Sequence, residues 1–273
     1  SELEHLKELI GLKLLNLNSN NISELEALKE LIGLKKLSLN SNNISELEPL
    51  KELTSLTQLT LGSNQISKLG PLKELTNLQS LNLSSNYISE LGPLQHLKSL
   101  NFINLDSNNI SNLKPLKELK GLSQLRLGSN KISELGPLKE LFLLRHVNLA
   151  SNQISELPLW ITQFDSVINI NGSFYGIALH ENPIISPPIE IIQQGKETIK
   201  RYFEELNKED VEEVPLFEAK VLLLGEGKTG KTSLRYKLEN ETKPLPSDED
   251  RTRGVDIYDH KFPISKDNFI SHI

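Results

Sequence analysis

NLQSLNLSSNYISELGPLQHLK, from Asn77 to Lys98, decides the fold, because the chain keeps repeating its frame. The pattern L-x-x-L-x-L-x-S-N-x-I recurs every twenty-two residues, with its asparagine at Asn20, Asn42, Asn64, Asn86, Asn108, Asn130 and Asn152. A fixed period of this size is the signature of stacked units, each too small to bury its own apolar face. Within the quoted copy, Leu81 and Leu83 alternate with polar residues, which predicts a short strand pointing both inward. Asn86 falls where the chain leaves the strand, and its side-chain amide can pair with backbone groups that the turn leaves open. The serine before each of these asparagines (Ser19, Ser41, Ser63, Ser85, Ser107, Ser129, Ser151) is expected to serve the same turn. Ile88 and Leu91 fill the middle of the core. Pro93 opens a helical turn, where its missing N–H costs little, and Leu94 and Leu97 face inward from that side.

This pattern resembles the leucine-rich repeat, and seven copies in register make the resemblance specific. It implies an α/β class of fold: a right-handed solenoid of 22-residue repeats over residues 1–186. The asparagines read as structural, since a ligand site would not need the same residue in every copy. Binding information belongs instead to the varying strand positions on the concave side. One column runs Leu14, Lys36, Gln58, Ser80, Phe102, Gln124, His146, and its neighbour runs Asn16, Ser38, Thr60, Asn82, Asn104, Arg126, Asn148. Phe102, Arg126 and His146 form the one aromatic and basic cluster there, and are the candidate partner-binding residues.

The opening SELEHLKELI matches the second half of a repeat, as in SELEALKELI from Ser23. The expectation is that further repeats precede it in a parent protein, or that a partner covers this end. The absence of methionine likewise suits a piece of a longer or processed chain. After Asn152 the pattern loosens. Trp160 is the single tryptophan and reads as a packing residue on the convex side. Asn182 takes the asparagine role in a last copy, thirty residues after Asn152, with an insertion near Asn171 to Gly176 absorbing the excess. Residues 187–214 then read as a capping helix and linker, the helix expected to break at Gly195, with Ile189, Ile192, Ile199, Tyr202, Phe203 and Leu206 roughly at helical spacing. The acidic run from Glu209 to Glu213 reads as a linker.

The 273 residues carry a net charge of -6, with acidic and basic groups interleaved, so no basic stripe argues for nucleic acid. Cysteine is absent, which excludes disulfides and thiolate metal sites and fits a cytoplasmic protein. No stretch approaches the roughly 20 apolar residues of a transmembrane helix, and no signal peptide is visible.

From Ala219 the character changes. Lys220 to Leu224 is a short, almost unbroken apolar run suited to a buried parallel strand. It leads into Gly225-Glu226-Gly227-Lys228-Thr229-Gly230-Lys231-Thr232, which fits G-x-x-x-x-G-K-[ST]. Glycines at 225, 227 and 230 let successive N–H groups turn toward one anion, and a helix beginning near Ser233 would add its positive end. Lys231 can reach the outer phosphates as a point charge, and Thr232 offers a hydroxyl to Mg²⁺. Downstream, Arg251-Thr252-Arg253-Gly254-Val255 looks like the first switch of small GTPases, in which Thr252 would be a second Mg²⁺ ligand.

Repeats, connecting helix and Ras-like phosphate loop, in that order, resemble the leucine-rich-repeat and Roc segment of prokaryotic-type Roco proteins. The resemblance implies that residues 215–273 are the N-terminal part of a Roc GTPase domain binding GTP or GDP with Mg²⁺. It implies a parent signalling protein that hydrolyses GTP and dimerises through a COR domain absent from these residues. The repeats would then engage a protein partner or the parent's own Roc–COR region. The chain departs from the pattern in lacking D-x-x-G and N/T-K-x-D after Val255. About 60 residues follow Leu216, where a doubly wound domain needs roughly 100 or more. This piece is therefore expected not to hydrolyse GTP efficiently, and its catalytic residues stay unassigned. Two other readings stand beside the GTPase: an interaction module with an inactive nucleotide fold, and a signalling ATPase, which the order of the parts disfavours.

Overall fold

The computed structural model describes residues 3–170 and 176–207. Seven three-residue strands arise where the frame predicts them: β1 (Leu14–Asn16), β2 (Lys36–Ser38), β3 (Gln58–Thr60), β4 (Ser80–Asn82), β5 (Phe102–Asn104), β6 (Gln124–Arg126) and β7 (His146–Asn148). They pair in parallel with no slip, so Leu37 lies opposite Leu59, Leu59 opposite Leu81, and Leu81 opposite Ile103. One-residue slips would send these leucines to solvent, which is why the register is fixed. Leu37, Leu59, Leu81, Ile103 and Leu125 are buried and join the inward residues of the opposite side in one continuous core. The result is a leucine-rich-repeat solenoid with a parallel sheet on its inner face.

The opposite side differs from an α/β expectation. Each repeat carries a 3-10 turn there, such as Gly92–His96, and not an α-helix. The cause is length: a 22-residue circuit that also holds a strand and an asparagine turn leaves room for only a short turn on this side, and short pieces are where 3-10 geometry is used. Proline enters at the first or second position in five of these turns, Pro93 among them, and Leu94 and Leu97 are fully buried behind it.

The asparagines make the ladder that the sequence predicts. Asn108 Nδ2 donates to the carbonyls of Leu83 in the preceding repeat and of Leu105 and Asp106 in its own, at 3.0 to 3.2 Å. Its Oδ1 accepts the Ile88 N–H at 3.0 Å. The same four contacts recur at Asn42, Asn64, Asn86, Asn130 and Asn152, and all six side chains are buried. Asn20 bonds only Leu17 and Asn18 of its own turn. Each preceding serine sits in the left-handed region, with φ from +53° to +57°, and Glu181 takes that place in the last copy. That conformation costs a non-glycine residue about 1–2 kcal/mol, which the adjacent asparagine bonds offset.

The last copy is built differently from the rest. Asn182 does take the asparagine role, donating to Leu149 and Leu179 and accepting from the Ile154 N–H. Two strands compete for the place beside β7, however: β8 (Ile168–Asn169), close to the ordinary period, and β9 (Ile177–Ala178), thirty residues on from Val147. The longer spacing takes the place, and β8 is displaced to the outer edge, giving the order β7-β9-β8. Gly176 makes this possible. Its φ is +78°, and a Cβ there would lie 2.1 Å from the Val167 carbonyl oxygen. Gly176→Ala is expected to destabilise the chain by roughly 2 kcal/mol in urea unfolding, with the loss confined to this end. Equal stability of wild type and variant would refute the close approach.

Two helices follow, α1 (Ile189–Gln193) and α2 (Lys196–Leu206), broken as expected at Gly195, whose φ is +95°. Only part of the predicted apolar face is used. Ile192 and Ile199 are buried and Phe203 packs on the core, while Ile189 and Leu206 stay exposed. Trp160 is a packing residue as expected, set edge-on to Phe164 with ring centroids 5.8 Å apart. The chain divides into two compact units, Ser1–Val211 and Glu212–Ile273. The second unit lies outside the described residues, as do the linker from Glu209 to Glu213 and the insertion residues 171–175. No helix among the described residues is long and apolar enough to cross a membrane.

Candidate functional site

The parallel register turns the two variable columns into neighbouring rows on the concave face. Phe102 lies opposite Gln124, and Gln124 opposite His146, while Asn104, Arg126 and Asn148 form the adjacent row. Residues two apart on a strand share a face, so Arg126 on β6 can lean back over β5. It does: its guanidinium carbon lies 6.0 Å from the centroid of the Phe102 ring, within reach of a cation–π contact. The structure thus brings together two of the three residues that the sequence singled out. His146 is exposed, two strands away from Phe102, and is not part of that stack.

The structure adds a residue that sequence reading passed over. Asp106 lies just beyond β5, half-buried, in a column that otherwise reads Asn18, Asn40, Gly62, Ser84, Gly128 and Ala150. Its Oδ1 accepts the Gly128 N–H at 2.6 Å and the Asn148 side-chain amide at 3.1 Å. The signal was present: it is the single acidic residue in an otherwise neutral column. Burial pushes its carboxyl above the ordinary value, opposed by the Gly128 N–H, the Arg126 charge and the Asn148 amide.

That shift has a sign. With the folded-state value raised, the folded chain holds the proton more tightly than the unfolded chain. The carboxyl therefore favours folding below the ordinary aspartate range and works against it as pH rises through the raised value. Asn18 and Asn40 accept the same bond from the next repeat, at 2.7 Å in both cases, so an amide suits this place. Asp106→Asn is expected to match or exceed the wild-type melting temperature near neutral pH, with the gap closing below about pH 4. A variant less stable than wild type at neutral pH would show that the charge itself is needed.

The expected nucleotide residues (Gly225, Gly227, Lys228, Thr229, Gly230, Lys231, Thr232, Ser233 and Thr252) all lie outside the described residues. Within those described, the concave face between β5 and β7 is the surface that combines a half-buried aromatic ring under an exposed arginine with unspent hydrogen-bonding capacity.

Comparison with known proteins bears on the repeat solenoid. A family model of leucine-rich repeats, two copies per match, fits residues 32–74, 54–96 and 76–118. An internalin of Listeria monocytogenes superposes with a TM-score of 0.62 at 31% identity, covering 68% of this chain and 53% of that one. A leucine-rich-repeat protein of Leptospira interrogans gives 0.62 at 28% identity, covering 70% and 48%. Among curated proteins, a Roc-COR-CHAT protease of Runella zeae is 48% identical over 61 residues, which is 22% of this chain and 7% of that protein. A second Roc-COR-CHAT protease, from an unknown prokaryotic organism, is 39% identical over 84 residues, 29% of this chain and 8% of that protein. The chain thus spans less than a tenth of the curated relatives it matches.

Proposed function

We propose that this chain is the repeat and phosphate-loop segment of a Roco-type signalling protein. In this reading the solenoid captures a protein, either a separate partner or the parent's own Roc–COR region. The concave rows around Phe102 and Arg126 make the contact, and a GTP-dependent switch downstream governs the outcome. The observation that carries it is the order of the parts. In sequence the repeats are followed by a helical connector and then by Leu224 and the motif Gly225 to Thr232, with Thr252 at the distance of a first switch. The names of the curated relatives, which include Roc and COR, support the same context. Their protease activity is theirs and is not carried to this chain.

The test is nucleotide competition on the longer parent protein with Mg²⁺. Labelled GTP should be displaced by GTP and GDP and not by ATP. Displacement by ATP would move the parent to the ATPase class. The competing reading is an interaction module whose nucleotide fold is inactive, favoured by the repeats themselves, which a leucine-rich-repeat model fits between residues 32 and 118. It expects no GTP binding and partner capture indifferent to nucleotide.

A further inference from the structure

We infer that the concave patch Phe102–Asn104–Arg126 is a carboxylate subsite, shaped for an acidic side chain of a protein partner flanked by an apolar one. The inference rests on the reading that the concave face captures a protein, and it names the chemistry of what is captured.

The row that holds Arg126 offers donors. Each strand-end asparagine spends its oxygen on its own turn: Asn82 Oδ1 accepts the Ser84 N–H and Asn104 Oδ1 accepts the Asp106 N–H, both at 3.0 Å. The turn fixes which way the amide faces, because only the oxygen can accept those N–H groups. The Nδ2 groups of Asn82 and Asn104 are left without an acceptor among the described residues. The Arg126 guanidinium forms no ion pair or hydrogen bond there either, in contrast with Lys98 and Lys120, which pair with Glu118 and Glu140 of the following repeats at 2.9 and 2.7 Å. Asp106 feels the Arg126 charge, but its Oδ1 is already taken by Gly128 and Asn148. Adjacent strands lie about 4.8 Å apart, so Asn104 and Arg126 present a planar fork and a neighbouring N–H₂ at one spacing.

A row of donors with one fixed cation selects an acceptor with one negative charge. A carboxylate has two oxygens that a guanidinium holds side by side, and the Asn104 amide can meet one of them. The Phe102 ring, half-buried and next in the same face, gives apolar surface to a neighbouring side chain. A nucleic-acid backbone fits less well. Between Lys36 and Arg126 the two columns hold no charged residue, whereas phosphate recognition needs several cations in succession.

The test uses the full chain, immobilised and panned against displayed random dodecapeptides. Selected sequences should be enriched in Asp or Glu beside an apolar residue. The best of them, resynthesised with a fluorophore and titrated by anisotropy, should lose roughly ten-fold or more in affinity on Arg126→Ala or on changing its acid to the amide. Arg126→Lys should not restore binding, because the ammonium lacks the fork, and affinity should fall as salt is raised. Melting temperatures should shift little, Arg126 being exposed and without an ion pair among the described residues. Peptides that are basic or neutral, absence of any selected peptide, or equal binding by wild type and Arg126→Ala each overturn the carboxylate subsite. If peptides insensitive to Arg126 are still blocked by Ser80→Trp, concave capture stands and only the subsite falls. Peptides insensitive to both variants remove the capture reading as well.

Discussion

Asn108→Ala is expected to lower the stability of the solenoid by roughly 3 kcal/mol, read by urea unfolding of the chain. The amide is buried and meets four backbone groups, three carbonyls and the Ile88 N–H. Alanine removes every one of these partners and puts nothing in their place. The Ile88 N–H then sits buried without an acceptor, and such a group alone costs about 1–3 kcal/mol. The carbonyls of Leu83, Leu105 and Asp106 lose their shared donor at the same time. Asn108→Asp should be no better near neutral pH: its oxygen can still take the Ile88 N–H, but a carboxylate would then face three carbonyl oxygens. Asn20→Ala supplies the contrast. That side chain is exposed and bonds only two carbonyls of its own turn, so water can replace it at a cost of about 0.5–1 kcal/mol. If the two alanine variants lose equal stability, the inter-repeat bonds are not what holds neighbouring repeats together.

The same bonds explain why so much of this fold could be read in advance. A period of twenty-two residues fixes strand, turn and inward leucine at once, because a repeat that drifted would lose its partner above and below. The columns that meet on the concave face follow from that spacing alone, whereas Asn182, thirty residues after Asn152, is marked by its local frame. What the spacing did not carry were competitions decided by local geometry. The 3-10 form of the convex turns depends on how few residues are left to cross that side. The choice of β9 over β8 depends on a close approach at Gly176 that only the absence of a Cβ permits. In the candidate site, Phe102 and Arg126 were legible as neighbours because the register places their strands side by side. Asp106 was not, because it lies two residues past Asn104, outside the three-residue strand that defines the concave columns. His146 shares the column of Phe102 and the same face, but it lies two strands from the ring, outside the stack.

Lys231→Ala in the longer parent protein is expected to weaken GTP binding by at least roughly 100-fold, while leaving the repeats folded. The reasoning is chemical. In G-x-x-x-x-G-K-[ST] the backbone N–H groups can cradle a phosphate, but they carry no net charge. The two outer phosphates together bring several negative charges, and the lysine is the single side chain of the motif that answers them with a full positive one. Removing it leaves a cradle without its counter-charge, whereas Thr232→Ala removes only a hydroxyl toward Mg²⁺ and should show its loss mainly in the metal dependence of binding. Lys228→Ala provides the comparison, since a lysine in the variable part of the loop is not required by the motif and should cost far less. If Lys231→Ala and Lys228→Ala bind GTP as tightly as the wild type, the stretch from Gly225 to Thr232 is a turn that happens to contain glycines.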